Sequence, residues 1–113
     1  MASNTVFKKY IKAEGTGVNN LKVELYYDLG GMNYFSGRAE PRGYYISVVP
    51  VERTNRDGWV SESYTMFSGI KQLVKEVGRK SAKAAEEATR LAIPWEDKLI
   101  EYVCNKENIV LEQ

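Results

Sequence analysis

Apolar and polar positions alternate along the first part of the chain. "TVFKKYIKAE" (5–14) alternates loosely, with Phe7, Lys9 and Ile11 opposite Val6, Lys8 and Tyr10, and predicts a first strand. "GTGVNN" (15–20) is a turn by composition. "LKVELYYDL" (21–29) follows with Leu21, Val23, Leu25 and Tyr27 on one face and Lys22, Glu24, Tyr26 and Asp28 on the other, the period of a half-buried strand. "GYYISVVPVERT" (43–54) is apolar on both faces and predicts a central strand, with Pro50 bending it or bringing it to an edge because proline cannot donate to a ladder. "NRDG" (55–58) carries the Asp-Gly pair of a tight hairpin, and "WVSESYTMF" (59–67) alternates again as a fourth strand.

The period then changes. From Phe67 onward, apolar residues at Ile70, Leu73, Val74, Val77, Ala84, Ala85, Ala88, Leu91 and Ala92 have the spacing of an amphipathic helix, with Ser68 as its N-cap. Such a helix would be about 37 Å long and would bend most easily at Gly78. Pro94 predicts its end and the first turn of a second, shorter helix, with Glu96 and Asp97 near the positive end of the dipole and Trp95, Leu99, Tyr102 and Val103 as the apolar stripe. "NIVLEQ" is a tail, either a docked stub of strand or frayed. Strands first and helices later predict a single α+β domain over residues 1–113: a four-stranded antiparallel, meander-like sheet, followed by a long helix and a shorter C-terminal helix packed on one face.

Composition narrows the chemistry. There is no histidine, which removes the commonest general base and the commonest metal ligand, and the serines Ser36, Ser47, Ser61, Ser63 and Ser81 have no recognisable activating partner. Cys104 is the only cysteine, so disulfides within the chain are excluded, and its place beside Val103 reads as a buried small hydrophobe. The N-terminal stretch lacks the apolar centre of a secretory signal, and no run approaches a membrane span, so the expectation is a cytoplasmic protein without membrane contact. Gly30, Gly31 and Gly37 form no phosphate-cradling motif and read as turn glycines. Asp28, Glu40, Glu52 and Asp57 lack the spacing of a calcium loop and read as solvated charges. No enzyme, cofactor or metal site is expected.

Net charge is only +1, but it is unevenly spread. Residues 71–83 hold five bases against one acid, and residues 84–113 hold seven acids against three bases. Lys71, Lys75, Arg79 and Lys83 recur every four residues, joined by Lys80, which on a helix would make a spiralling basic stripe. That stripe reads as a solvated face, as a contact for phosphates, or as a contact for an acidic protein or for the acidic second helix of its own chain.

The second candidate is "GGMNYFSGRAEPRGYY" (30–45). Between the second and third predicted strands runs an apolar-rich connection of about thirteen residues, longer than most connections without a function. Met32 and Phe35 could plug the sheet end. Alternatively Tyr34, Phe35, Arg38 and Arg42 form a partner-binding surface, since tyrosine and arginine are enriched at contact hot spots.

Over "YYDLGGMNYFSGRAEPRGYYISVVPVER", "FSGIKQLVKEVGRKSAKAAEEA" and "LIEYVCNKENI", from about residue 21, the chain resembles small uncharacterised bacterial proteins often encoded on plasmids, prophages or conjugative elements. The resemblance brings no activity, ligand or site residue; it implies a small accessory protein of a bacterial cytoplasm. The expected function is therefore non-enzymatic contact with an unidentified protein partner or with a second copy. The rival is nucleic-acid binding through the basic stripe and Tyr26, Tyr34 and Tyr45. A metal-dependent hydrolase on Asp28, Glu52 and Asp57 is a third class.

Overall fold

A computed structural model describes residues 3–15, 18–33, 38–54, 60–62, 69–75 and 81–111. The chain is α+β, with strands β1 (Ser3–Gly15), β2 (Val18–Asp28), β3 (Gly31–Asn33), β4 (Arg38–Glu40), β5 (Gly43–Thr54), β6 (Val60–Glu62) and β7 (Ile70–Lys75), then helix α1 (Ala82–Glu107) and strand β8 (Val110–Leu111). The main sheet is antiparallel and curled, in the order β6-β5-β2-β1-β8. β7 shares with β6 the outer edge of β5: β7 pairs with Gly43–Ser47, β6 with Val51–Thr54. The sheet is therefore five strands wide, one more than the four-strand meander expected. β3 and β4 make a separate two-stranded hairpin inside the 30–42 connection.

The period-two pattern of β2 decides the layering. Leu21, Val23, Leu25 and Tyr27 face Pro50, Val48, Ile46 and Tyr44 across the β2–β5 ladder. All eight are essentially sealed from water, and most join Ala88, Ala92, Leu99, Ile100 and Val103 of α1 in one core. Ala88 and Ala92 have no bulk to hold the helix off the sheet. On the other face of β5, Tyr45, Ser47 and Val51 are also buried, as expected of a central strand that is apolar on both sides. Pro50 falls in the gap between the two strands that share the outer edge of β5, where its missing N–H interrupts no ladder.

Three expectations are corrected. The segment 70–75 is strand, not helix. A bulge between Tyr44 and Tyr45 sets Tyr44 against Val74 and Tyr45 against Gln72, leaving Leu73 as the extra residue. Leu73 and Val74 consequently both pack at the core, and that break in alternation imitates helical spacing. Lys71 and Lys75 therefore stand on a strand, and the spiralling stripe Lys71–Lys75–Arg79–Lys83 does not exist as one helix face. Second, the helix begins at Ala82. Its N-cap is Ser81, whose Oγ accepts from the Ala84 N–H at 3.1 Å.

Third, Pro94 lies inside a single helix and does not divide two. Proline forfeits the bond to the carbonyl four residues back, Arg90, but Ala88 and Ala92 before it and Leu99, Ile100 and Val103 after it bury on the same core. Packing holds both halves in register. At 26 residues the helix is about 39 Å long and matches the longest dimension of the molecule, 39 Å. It ends at Asn108 in the left-handed conformation (φ 53°), with the Ile109 N–H on the Cys104 carbonyl. The tail is docked: Val110 and Leu111 pair with Glu14 and Ala13 of β1. Among the described residues no helix is long and apolar enough to cross a membrane. Ser68, Gly78, the "NRDG" turn and most of 59–67 lie outside the described residues.

Candidate functional site

β1, at 13 residues, is the longest strand, and its two edges differ. Its inner edge pairs with β2 along nearly its whole length, with a bulge at Val6. Its outer edge is taken by β8 only at Ala13 and Glu14. Among the described residues, no strand lies beside the outer edge from Ser3 to Lys12. Every second residue there directs its N–H and C=O groups away from the sheet, so the run offers a template for another strand.

The β1–β2 register assigns its side chains. Phe7, Lys9 and Ile11 lie opposite Leu25, Val23 and Leu21, on the side of the helix; Lys8, Tyr10 and Lys12 lie opposite Glu24, Lys22 and Asn20, on the other side. Phe7 and Ile11 are half-buried against the core. Lys9 reaches across to an ion pair with Glu96 of α1. Ile93, one turn before Glu96, is 69% exposed, so an apolar side chain stands on that flank of the helix.

On the far face the charges are unbalanced. Glu24 is engaged by its own strand and its neighbour: Thr5 Oγ1 donates to Oε2 at 2.6 Å, and Lys22 Nζ lies 3.5 Å from Oε1. Lys8 and Lys12 are exposed, and neither has a carboxylate at ion-pair distance among the described residues. Tyr10, 40% exposed, stands between them.

The residues singled out from sequence are dispersed. Tyr34 and Phe35 lie outside the described residues, as do Arg79 and Lys80. Arg38 pairs through its backbone with Asn33 in the small hairpin. Arg42 is exposed, its Nε 3.5 Å from the Leu29 carbonyl and its own carbonyl 3.4 Å from Gln72 Nε2. Lys71 is brought against α1, Lys75 ends β7 opposite Gly43, and Lys83 is exposed on the first turn of the helix. Of the tyrosines, Tyr45 is buried, stacks on Tyr26 at 5.9 Å and donates its hydroxyl to the Pro41 carbonyl at 2.6 Å; it holds the sheet and presents no open ring. Asp28 is buried and accepts from the Gly30 N–H at 2.7 Å, a turn-forming role.

Beside β8 runs an open groove of about 520 Å³ lined by Asp97, Ile100, Cys104, Val110 and Leu111. Burial pushes the Cys104 thiol above its ordinary range, so it is a poor nucleophile. The site missed from sequence is the lysine run of β1. Its signal was legible in "FKKYIK": lysines on both faces of one strand mark a sheet edge.

No family model, curated protein or solved structure matches the chain.

Proposed function

We propose that this protein works by contact, without catalysis, and that it binds a partner protein by accepting an extended segment as an extra strand along β1. The observation that carries the reading is the outer edge of β1, vacant beside Ser3–Lys12 among the described residues and already extended at Ala13–Glu14 by the chain's own β8. Main-chain bonds supply affinity in this mode, and alternate side chains supply specificity.

The side chains specify the partner. A strand laid beside β1 meets Lys8, Tyr10 and Lys12 on one face and Phe7 and Ile11, with Ile93 nearby, on the other. It fits best when carboxylates alternate with apolar residues. A second copy of β1 fits poorly, because antiparallel self-pairing brings the Lys8–Lys12 runs of two chains together, and like charges across a ladder destabilise it. Such a domain suits the accessory role that the resemblance implies.

The test uses a labelled peptide alternating glutamate and valine, a lysine–valine counterpart, and an acidic peptide N-methylated at alternate positions along each edge. The acidic peptide should bind, protect β1 amides from hydrogen exchange, and lose affinity as salt rises. Lys8→Glu with Lys12→Glu and N-methylation should each abolish binding. Equal binding of the lysine peptide, or protection confined to other strands, overturns the reading.

A further inference from the structure

On the opposite flank of α1, where it meets β7, lies a cluster that the β1 edge does not use. Lys71 Nζ stands 4.5 Å and Lys98 Nζ 4.8 Å from the centre of the Trp95 ring, and Lys106 Nζ stands 5.7 Å from that of Tyr102. Trp95, Lys98, Tyr102 and Lys106 are three or four residues apart and form one stripe of the helix, with Lys71 delivered from the sheet. Lys71, Lys98 and Lys106 are exposed, Trp95 is half-buried and Tyr102 is 51% exposed.

Two ammonium groups held over one indole repel each other. None of the three lysines has a carboxylate at ion-pair distance among the described residues. The acids Asp97 and Glu101 line the groove beside β8. Among the described residues the cluster thus combines three cations without an ion-pair partner with two aromatic rings, which hold the ammonium groups over their faces.

We propose that this flank of α1 binds single-stranded nucleic acid, bases stacking on Tyr102 and on the accessible part of Trp95 while Lys71, Lys98 and Lys106 contact phosphates. The two rings are seven residues apart, about 10.5 Å along the axis, a separation that consecutive splayed bases can span. Stacking on aromatic platforms beside a basic track is the mode of sequence-tolerant single-strand binding. An acidic peptide would satisfy the lysines but leave the rings without a matching flat partner, so the rings favour nucleic acid. This site is separate from the β1 edge, and each can fail without the other.

Fluorescence anisotropy with labelled oligothymidine and oligouridine of about 12 nucleotides, the duplex of the same length and polyglutamate as competitor tests the proposal. Single strands should bind at low salt with a log–log salt slope of about −2, the value for three neutralised phosphates. Lys98→Ala and Lys106→Ala should each reduce the slope by about 0.7, and Tyr102→Ala, at an exposed position, should weaken binding by about 5- to 100-fold. Lys8→Glu with Lys12→Glu should leave this binding in place. No binding in 20 mM salt, an unchanged affinity in Tyr102→Ala, preference for duplex, or equal competition by polyglutamate overturns it. Circular dichroism of each variant separates loss of contact from loss of fold.

Discussion

The Tyr44 hydroxyl donates to the carbonyl oxygen of Ser81 at 3.3 Å, tying the central strand to the residue that caps the helix. The phenol ring is sealed in the core and meets Tyr27 across the ladder with ring centres 5.0 Å apart. Tyr44→Phe keeps the packing and removes one bond, at a cost of about 0.5–1.5 kcal/mol. Ser81→Ala removes the cap of Ala84 and costs about 1 kcal/mol. Because both act on the first turn of α1, the double variant should lose less than the sum in urea denaturation. Strict additivity would show that the two bonds act on independent elements.

Alkaline pH should weaken the fold through the same residue. Burial pushes the Tyr44 phenol above its ordinary value, outweighing the opposite effect of its bond to Ser81, and neighbouring Tyr27 adds to the rise; burial also raises the Cys104 thiol. For both groups the folded state holds its proton to higher pH than the unfolded chain. Their favourable contribution is complete below the unfolded values, about 8.5 for cysteine and 10 for tyrosine, and is lost as pH climbs through the folded ones. The urea midpoint should fall above about pH 9. The fall should be shallower for Cys104→Ala between pH 8.5 and 10 and for Tyr44→Phe above pH 10. A midpoint that rises in this range contradicts the assignment.

How far the sequence spoke depended on whether one element alone set the pattern. β2 and β5 were legible because Leu21, Val23, Leu25 and the two-sided apolar run from Tyr44 to Val51 obey a strand's own period. β7 was not, because its bulge places Leu73 and Val74 both at the core, and a bulge is a property of the pair. Pro94 misled for a related reason: local propensity ends a helix there, but the core contacts on either side continue it. The lysines of β1 were a legible edge signal, yet how much of that edge stays open is set by β8, which reaches it only through the tertiary fold. Trp95, Lys98, Tyr102 and Lys106 were readable as a stripe, but Lys71 joins them only through the tertiary fold.

Gly43 should tolerate no side chain. A Cβ built there would lie 2.0 Å from the Val74 carbonyl oxygen, at the point where β5 pairs with β2 and β7 together. Gly43→Ala must push β7 outward, costing at least about 2 kcal/mol. Gly31, at φ 121°, has nothing within 4 Å of the same built atom, so Gly31→Ala meets only backbone strain. Gly43→Ala should therefore have the lower thermal midpoint of the two. The reverse order would rule out close approach of β7 as the reason for glycine at 43.

Glu24 and Lys22 form a largely buried pair on the face away from the helix, with side chains 16% and 10% exposed. Glu24→Ala removes the acceptor of both Lys22 and Thr5 and should cost about 1–3 kcal/mol. Lys22→Met keeps the aliphatic length but leaves the Glu24 carboxylate largely buried with only Thr5 as its partner among the described residues, so it should also destabilise. In the Lys22→Met background Glu24→Ala should cost less. An equal cost in both backgrounds, measured by urea denaturation, would assign the whole effect to Thr5.

Replacing Pro94 separates local propensity from tertiary packing. Proline at the middle of a helix costs about 3 kcal/mol relative to alanine, and Pro94 is exposed, so its ring contributes little to the core. Alanine restores a donor for the Arg90 carbonyl while Ala92 and Leu99 keep their contacts. Pro94→Ala should raise stability by about 1–2 kcal/mol, less than the full propensity difference because the native backbone has already relaxed around the ring. The gain should appear as a higher urea midpoint with an unchanged slope, since the surface exposed on unfolding is the same. A lower midpoint would instead mean that the proline sets a bend by which α1 follows the curl of the sheet, and that straightening the helix lifts Leu99 and Val103 away from β2 and β5.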